Sequence, residues 1–591
     1  MKSIAIVIKL RNKIANFLDS LSDLVIKMPL FAHLFLVFLT LFVFLFPGFT
    51  SLPPLDRDEA RFAQASRQMA EDQNYIVIKF QEELRAKKPI GIYWLQSSAA
   101  SLFGKNKISS YRVPNLLAGI AICILMGFFT FSILYNFASQ SWSNSFTLSL
   151  LSVLFIAVNS GFAIEVRQAK TDTVLLLLCF IQQWIIWKIY SYGKLEWNIF
   201  KTNKLSWIVR FFWVIMAFGV LIKGPIAPIL AILTVAGILV LDRFSEKKWS
   251  FSWLSLFLWT QGLAIFLIII IPWVYLAWNA TEGALILNAL NEDLLGKIKS
   301  GKENHGAPPG SHFIILFFTF WPISLLLPIA GRACIDWSHQ HLIRFLIAWI
   351  LPFWLLMEII PTKLPHYILP VFPALITLVI IGFSSPRSGI KLFRTIGKLY
   401  QTIVVLVSFL LFVAALYLTI VLSTNLTSIF WGFLCGILAI FSIIMGLVFL
   451  SNICRYKLTP LFMMTLFAGL SHSIMLGFVV PKLDMIHLSP RIASEIGKLS
   501  PYPEIIVSAG YHEPSLVFLL GRDTLLISAE EAALVLAEGS NSLAIVEKDG
   551  LSEFHSKLNI LGKKVSELSK VTGYNLAKGE STSIGLYRIL E

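Results

Sequence analysis

The residues of this sequence best suited to chemistry form a short charged segment near its start, Asp56-Arg57-Asp58-Glu59-Ala60-Arg61-Phe62. A second charged group follows at Glu82, Glu83, Arg85, Lys87 and Lys88. Carboxylates can accept protons, and fixed cations can hold an anionic group. The segment therefore suits a reaction on a charged substrate, and the apolar stretches around it place that reaction at a membrane surface.

Composition indicates a polytopic α-helical membrane protein. Of the 591 residues, 56% are hydrophobic and 14% are charged, with a mean hydropathy of +0.75. Soluble proteins carry about 25% charged residues. The net charge of +15 does not indicate nucleic-acid binding, because Lys and Arg gather in short loops between apolar runs. The five cysteines show neither metal-ligand nor disulfide spacing.

Apolar runs long enough to cross a bilayer core of roughly 30 Å recur through the first 480 residues. About 13 spans are predicted. They are 29–50, 111–135, 145–163, 171–190, 207–222, 224–242, 253–277, 312–330, 343–360, 366–384, 399–422, 428–450 and 458–480. The run 90–104 is shorter and is interrupted by Gly91, Gln96 and several serines, so we expect it not to span.

Charge placement predicts the topology. We expect the protein in a bacterial inner membrane. Its basic N-terminus should face the cytoplasm, together with basic loops such as 188–210 and 387–398. If 90–104 spanned, all the later basic loops would move outside, against the positive-inside rule. Five segments then share the outer, periplasmic face. They are 51–110, 164–172, Lys223-Gly224-Pro225, 278–311 and 361–367.

The last part of the chain differs in pattern and predicts a second domain. From Pro481 onward, short apolar runs typical of strands alternate with helix-like runs. We expect a transmembrane domain at 1–480, with the outer loop 51–110 carrying juxtamembrane helices, and a small periplasmic α/β domain at 481–591. No glycine motif for phosphate binding occurs in that domain.

Several charged residues have a plain structural explanation beside the chemical one. Residues 58–72 predict a helix capped by Asp56, with an apolar face on the membrane interface, and ordinary surface ion pairs explain its charges equally well. Lys223 and Lys363 stand at outer ends of spans, where a lysine either reaches to the surface or holds a phosphate. Asp172 opens a span, where a helix cap is the alternative role.

Taken in order, these motifs resemble the family 39/83 membrane glycosyltransferases. The residues that carry the resemblance are Asp58-Glu59-Ala60-Arg61-Phe62, Lys88-Pro89-Ile90-Gly91-Ile92-Tyr93-Trp94, Asp172, Leu221-Ile222-Lys223-Gly224 and Lys363-Leu364-Pro365-His366-Tyr367-Ile368-Leu369-Pro370. The family includes protein O-mannosyltransferases and, closer in pattern, bacterial lipid A aminoarabinose transferases. The resemblance implies a GT-C fold and inverting transfer of a sugar from a polyprenyl-phosphate donor on the periplasmic face.

The resemblance also implies roles for individual residues. Asp58 would activate or orient the acceptor oxygen, with Asp172 and Glu59 as further acidic residues of the site. Tyr367 would hydrogen-bond the phosphate or the sugar. The donor phosphate would be held by Arg61, Lys88, Lys223 and Lys363, together with Tyr367.

One position departs from the family pattern. Aminoarabinose transferases have Glu-Lys-Pro where this chain has Lys87-Lys88-Pro89, and that Glu is associated with a metal, together with a histidine that His305 resembles. No cofactor is therefore predicted with certainty, and a divalent metal at His305 stays open. The departure also points to a different sugar or acceptor, so aminoarabinose is not assumed.

The expected partners are membrane lipids, a polyprenyl-phosphate-sugar donor and an envelope acceptor, either lipid A or a related glycan; no nucleic acid is expected. Two alternatives stay open: a protein O-glycosyltransferase and a non-enzymatic transporter of lipid-linked sugars. A transporter should show repeated halves and broken helices near the midplane. The sequence shows no internal repeat, and its unusual charges gather at one face.

The topology predicts a labelling pattern. In Gln140→Cys the new thiol should be protected from a membrane-impermeant reagent added outside, whereas in Asn304→Cys it should be labelled. The wild-type chain, with its five native cysteines, supplies the background. Labelling at 140 with protection at 304 would contradict the orientation.

Overall fold

The protein is a bundle of long apolar helices followed by a small sheet domain. This computed structural model describes residues 30–55, 57–136, 140–195, 202–291, 306–336, 340–383, 391–423, 425–451, 458–539 and 541–590.

The helices are numbered along the chain. In the membrane part they are α1 (Leu30–Leu45), α2 (Asp58–Asp72), α3 (Gly91–Phe103), α4 (Ile108–Asn136), α5 (Trp142–Val158), α6 (Ser160–Val166), α7 (Asp172–Leu195), α8 (Thr202–Lys223), α9 (Ile226–Glu246), α10 (Trp259–Thr281), α11 (Ala284–Asn288), α12 (Ser311–Thr319), α13 (Leu327–Asp336), α14 (His341–Ile359), α15 (Phe372–Gly382), α16 (Lys391–Leu422), α17 (Leu426–Ser451) and α18 (Thr459–Ile474). Short 3₁₀ turns cover Ser252–Phe257, Ile323–Leu326 and Pro365–Val371.

The chain is a multi-pass membrane protein. Within the described residues ten helices are long and apolar enough to cross a bilayer, or twelve if each of two bent pairs counts as one span. The sequence predicts about 13 spans. The difference lies at α1, which has 16 residues in its described part and is too short there to be counted.

Two of the predicted spans fall on bent helix pairs. Residues 145–163 fall on α5 and α6, which meet at 65°. Asn159 sits at the bend with an extended backbone, and its side chain accepts a hydrogen bond from the Phe162 N–H, which caps α6. Residues 312–330 fall on α12 and the segment Ile323–Asp336, at 112° to each other across Pro322, which has no backbone N–H to continue a helix.

The run 90–104 forms α3, whose 13 residues rise about 20 Å and fall short of the bilayer core. It packs between α2 and α4. Its first residue, Gly91, lies so close to α8 that an added Cβ would stand 2.8 Å from the Leu221 carbonyl oxygen. Because Gly91 has no side chain, α3 can begin in direct contact with α8 at Leu221, two residues before Lys223.

Helix α2 has the predicted bounds, but its surroundings differ from the prediction. Its apolar face does not lie on the membrane interface, because its side chains are buried against α3, α4 and the C-terminal domain. The predicted cap Asp56 lies outside the described residues. Arg57, which precedes the helix, makes no side-chain cap hydrogen bond.

The C-terminal part holds a five-stranded sheet. A hairpin of two short strands, β1 (Lys79–Phe80) and β2 (Glu83–Leu84), precedes it in the chain, and the sheet strands are β3 (Ile505–Ala509), β4 (Leu525–Ile527), β5 (Ser542–Glu547), β6 (Val565–Asn575) and β7 (Glu580–Ile589). The strand order is β4-β3-β5-β7-β6, in which β3 pairs in parallel with the edge strand β4 and with β5. Strand β7 is antiparallel to β5 and forms an antiparallel hairpin with β6. Helices α19 (Leu488–Gly497), α20 (Pro514–Leu520), α21 (Ala529–Glu538) and α22 (Leu551–Ile560) surround it. The exact domain boundary at 480/481 stays a prediction.

The sheet domain rests on α2 through α20. The Phe518 ring meets the Tyr111 ring edge-on, with centroids 5.6 Å apart. Arg67 on α2 donates to the Phe518 carbonyl at 3.2 Å, and Gln81 donates to the Thr524 carbonyl at 2.7 Å. These contacts fix the sheet domain against the helix that begins at Asp58.

A buried ion pair organises the chain around the start of α2. Arg112 and Glu59 are 0% and 1% exposed, and all five guanidinium N–H groups have partners. Two N–H groups go to the Glu59 carboxylate, and three go to the carbonyls of Phe49, Leu52 and Pro53. Glu59 also accepts from the backbone N–H groups of Leu55 and Ala169. The pair thereby ties α4, the approach to α2 and the segment before α7 together.

Replacing Arg112 should therefore strongly destabilise the folded protein. Arg112→Met leaves a buried carboxylate without its counter-charge, which costs about 3–5 kcal/mol of unfolding free energy. Denaturant unfolding in mixed micelles measures it. Lys498→Met, which removes an exposed pair with Glu495 in the C-terminal domain, is the control and should cost less than about 1 kcal/mol. Equal effects of the two substitutions would contradict this role for Arg112.

Candidate active site

A cavity of about 590 Å³ opens at one end of the helix bundle, beside the start of α2. Its walls come from four of the five segments that the sequence predicts on one face: the first loop, 164–172, Lys223 and 361–367. The ionisable residues that line it are Arg57, Asp58, Glu59, Arg85, Lys87, Lys88, Glu165, Lys170, Asp172, Lys223, His366 and Tyr367.

Lys223 and Asp172 form a short ion pair in the cavity wall. The Lys223 Nζ lies 2.5 Å from Asp172 Oδ1, and both side chains are nearly buried. Lys223 is the last residue of α8, where Gly224 turns the chain with a φ of +64°, and Asp172 is the first residue of α7. The Lys223 ammonium also lies 5.2 Å from the centre of the Tyr367 ring, within cation–π distance.

A second ion pair lies beside the first. Lys170 Nζ is 2.8 Å from Glu165 Oε1. Burial acts to lower the pKa of Lys170, but the carboxylates of Glu165 and Asp172 outweigh it and hold the pKa above its usual value, so Lys170 stays charged. The His366 ring lies between the two pairs, 3.6 Å from Glu165 Oε1 and 3.7 Å from Asp172 Oδ1.

Asp58 faces these pairs as the first residue of α2 and is exposed to the cavity. Loss of water around the carboxyl acts to raise its pKa, but the positive charges of Lys170, Arg85 and Lys88 outweigh this and hold the pKa of Asp58 below its ordinary value. Asp58 is therefore a carboxylate at neutral pH, able to accept a hydrogen bond from a ligand in the cavity.

The side chains of Glu165, Asp172 and His366 offer three donor atoms within 4.8 Å of one another. Two carboxylates and an imidazole suit Zn²⁺ or Mn²⁺. Here the Lys170 and Lys223 ammonium groups already lie against both carboxylates, so the group does not fit a metal as it stands. His305, the predicted metal ligand, lies outside the described residues. A divalent metal stays a prediction, and no step below depends on one.

The structure brings six of the predicted site residues to the cavity: Asp58, Glu59, Lys88, Asp172, Lys223 and Tyr367. Glu59 is nevertheless not placed as a reacting group, because both its oxygens are taken by Arg112 and by backbone N–H groups. Arg61 is not among the residues that line the cavity.

Lys363, predicted to hold the phosphate, is not among the residues that line the cavity. Its ammonium donates to the carbonyls of Glu358 at 2.8 Å and Ile360 at 2.6 Å. These carbonyls lie at the C-terminal end of α14, where the helix dipole and unpaired carbonyls favour a cation. The ammonium is engaged there in this structure, and the phosphate contact of Lys363 stays a prediction.

Six ionisable cavity residues were not among the predicted site residues: Arg57, Arg85, Lys87, Glu165, Lys170 and His366. All six lie in the predicted outer segments, so the topology offered a signal for them. The structure adds their contacts: Arg85 Nε donates to the Tyr93 hydroxyl at 3.1 Å, and its guanidinium lies 5.1 Å from the centre of the Phe62 ring. From this place the positive charge of Arg85 acts on Asp58, which sequence spacing could not indicate.

Comparison with solved structures identifies the fold. Over 94% of this chain and 97% of the other, the structure matches the crystal structure of ArnT from Cupriavidus metallidurans bound to undecaprenyl phosphate, with a TM-score of 0.70 at 15% identity. The chain has the ArnT-like GT-C fold. The ArnT-like architecture confirms the fold class predicted from the sequence.

Sequence relatives agree with the ArnT-like fold. An uncharacterised protein of Aquifex aeolicus is 21% identical over 483 residues, which cover 81% of this chain and 85% of that protein. An undecaprenyl phosphate-α-4-amino-4-deoxy-L-arabinose arabinosyl transferase of Shewanella sediminis is 22% identical over 365 residues, or 60% of this chain. The chain thus spans only 61% of the length of that named transferase. No protein-family model matches the chain.

Proposed function

We propose that this protein is an inverting glycosyltransferase that moves a sugar from a polyprenyl-phosphate donor to an envelope acceptor. One observation carries the proposal: a single cavity of an ArnT-like fold combines an ionised Asp58 with a wall of lysine and arginine side chains. Two sequence relatives are named as undecaprenyl phosphate-α-4-amino-4-deoxy-L-arabinose arabinosyl transferases.

The cations suit the leaving group. When the sugar departs from its donor, negative charge develops on the lipid phosphate, and preorganised positive groups stabilise that charge most in a partly dry site. Lys88 and Lys223 line the cavity, and Arg85 can present a planar guanidinium to phosphate oxygens. The Tyr367 hydroxyl would add a hydrogen bond to the phosphate or the sugar.

Asp58 and Asp172 would have different roles in the reaction. Asp58 is open to the cavity, so its carboxylate would accept the hydrogen bond of the acceptor hydroxyl and orient the oxygen for attack on the face of the sugar opposite the phosphate. Its lowered pKa makes it a stronger orienting group than base. Asp172 would act through Lys223, since it fixes the ammonium at 2.5 Å.

We propose lipid A or a related envelope glycan as the acceptor, and a bacterial inner membrane as the location. The cytoplasmic N-terminus and periplasmic cavity follow from the charge placement of the loops. A polyprenyl-phosphate donor needs the membrane for its tail and the aqueous face for its head group, and a cavity at the end of the bundle supplies both.

Asp58→Asn should lower the transfer rate by about 10²-fold or more. The neutral amide cannot orient the hydroxyl of the sugar acceptor through a hydrogen bond to a negative charge, as the carboxylate does. Mass spectrometry of lipid A and envelope glycans from a deletion strain, complemented with each variant, measures the product. Asp72→Asn is the matched control, since Asp72 lies on the same helix and pairs with Arg522 outside the cavity. Near-normal product from Asp58→Asn in well-inserted protein would contradict the role of Asp58.

Lys223→Ala should impair use of the donor more than use of the acceptor. Loss of a charged hydrogen bond to phosphate costs about 1.5–3 kcal/mol, or roughly 10- to 100-fold in donor kcat/KM. Lys194→Ala is the control, because it likewise removes a lysine that pairs with carboxylates, Asp242 and Glu246, at the opposite end of α7 from the cavity. Both carboxylates keep Arg344 as a partner. Equal losses for donor and acceptor would argue against a phosphate contact.

A further inference from the structure

The tip of the β6–β7 hairpin, residues 576–579, brings the sheet domain to the rim of the cavity. The Arg57 guanidinium, which lines the cavity, donates a hydrogen bond to the Ala577 carbonyl at this tip. The tip itself is well defined, because the buried Asn575 side chain accepts from the N–H groups of Ala577 at 2.9 Å and Lys578 at 3.2 Å. The Ala577 carbonyl is thus presented by a fixed loop.

The backbone of Arg57 is strained. Its φ of +63° and ψ of −103° lie where residues with a side chain are rarely found. Such a conformation costs about 1–3 kcal/mol and persists only where the surrounding structure holds it. The next residue is Asp58, so the turn at Arg57 sets the direction in which α2 begins and the Asp58 carboxylate enters the cavity.

Two anchors hold this turn from opposite sides. On the membrane side, the buried Arg112–Glu59 pair fixes Leu55 and the first turn of α2. On the other side, the hairpin tip holds the end of the Arg57 side chain. The contacts of Arg67, Gln81 and Arg522 along α2 and β1–β2 keep the sheet domain in register with the helix, so the tip meets Arg57 at a defined place.

We propose that the β6–β7 hairpin tip is a positioning element of the active site: by holding Arg57, it keeps the strained turn that aims the Asp58 carboxylate at the acceptor. The inference rests on the proposed function, because it concerns the residue that orients the acceptor. It makes the C-terminal domain part of the catalytic machinery rather than a separate appendage.

Shortening the hairpin tests this. Replacing residues 576–579 by Asn-Gly removes the Ala577 carbonyl while a two-residue turn still connects the strands that pair at Asn575 and Glu580. We expect kcat to fall about tenfold or more, because a catalytic group misplaced by about 1 Å can cost 10²-fold. The donor KM should stay unchanged, since every cation of the cavity is retained.

Lys578→Ala is the matched control. The shortened loop also loses the pair between Lys578 and the buried Glu547, and Lys578→Ala removes that pair while it keeps the tip. Thermal unfolding of each variant in detergent shows whether the sheet domain is folded. Wild-type kcat in a folded shortened variant, or the same fall in kcat for Lys578→Ala, would overturn the proposal.

Variants of Arg57 give a second route that leaves the hairpin intact. Arg57→Met should lower kcat, and Arg57→Lys, which can still donate to a carbonyl, should recover most of the loss. In the variant that combines Arg57→Met with the shortened hairpin, kcat should fall no further than in either single variant, because both changes break the same contact. Effects on kcat that multiply would overturn the inference.

The proposed function and this inference fail differently. If Asp58→Asn keeps normal transfer, the proposed function fails and the inference with it. If Asp58→Asn abolishes transfer while the shortened hairpin retains wild-type kcat, only the positioning role is wrong.

Discussion

The buried contact between Arg112 and Glu59 is the constraint on which the site depends. The guanidinium has all five donors satisfied, and the carboxylate also accepts from two backbone N–H groups, so neither side chain of the pair has an unpaired polar atom. Such a pair adds little net stability compared with an apolar core, but removal of either partner leaves a buried charge unpaired. The pair joins the start of α2, whose first residue is Asp58, to the segment that contains Lys170 and leads to Asp172, the first residue of α7.

The charge of the cavity follows from this geometry. Six lysine and arginine side chains and four carboxylates line it, and two of the carboxylates are paired with Lys170 and Lys223. The surplus is positive, which fits a ligand that carries phosphate. Asp58 is left as the carboxylate open to the cavity, and the same cations keep it ionised. One set of cations thus serves both the anionic ligand and the acid opposite it.

The sequence was sufficient for the fold class, for α2 and for the convergence of the outer segments, because hydropathy, charge bias and helix formers act locally. It could not indicate the contacts between distant parts of the chain. Lys363 looked like Lys223 in sequence, but the end of α14 lies within its reach. Glu59 looked like a second acid beside Asp58, but Arg112, 53 residues away, takes both its oxygens. Strand β6 is polar and lies at the sheet edge. Its sequence therefore lacks the apolar pattern by which the other strands are recognised.

The most direct measurement of the central claim is a cryo-EM structure of the protein in nanodiscs with undecaprenyl phosphate added. The account predicts the lipid phosphate in this cavity, within hydrogen-bond distance of Lys223 or Lys88, with the Asp58 carboxylate facing it across the space for the sugar. A phosphate bound elsewhere on the bundle, with the cavity holding only water, would contradict the account.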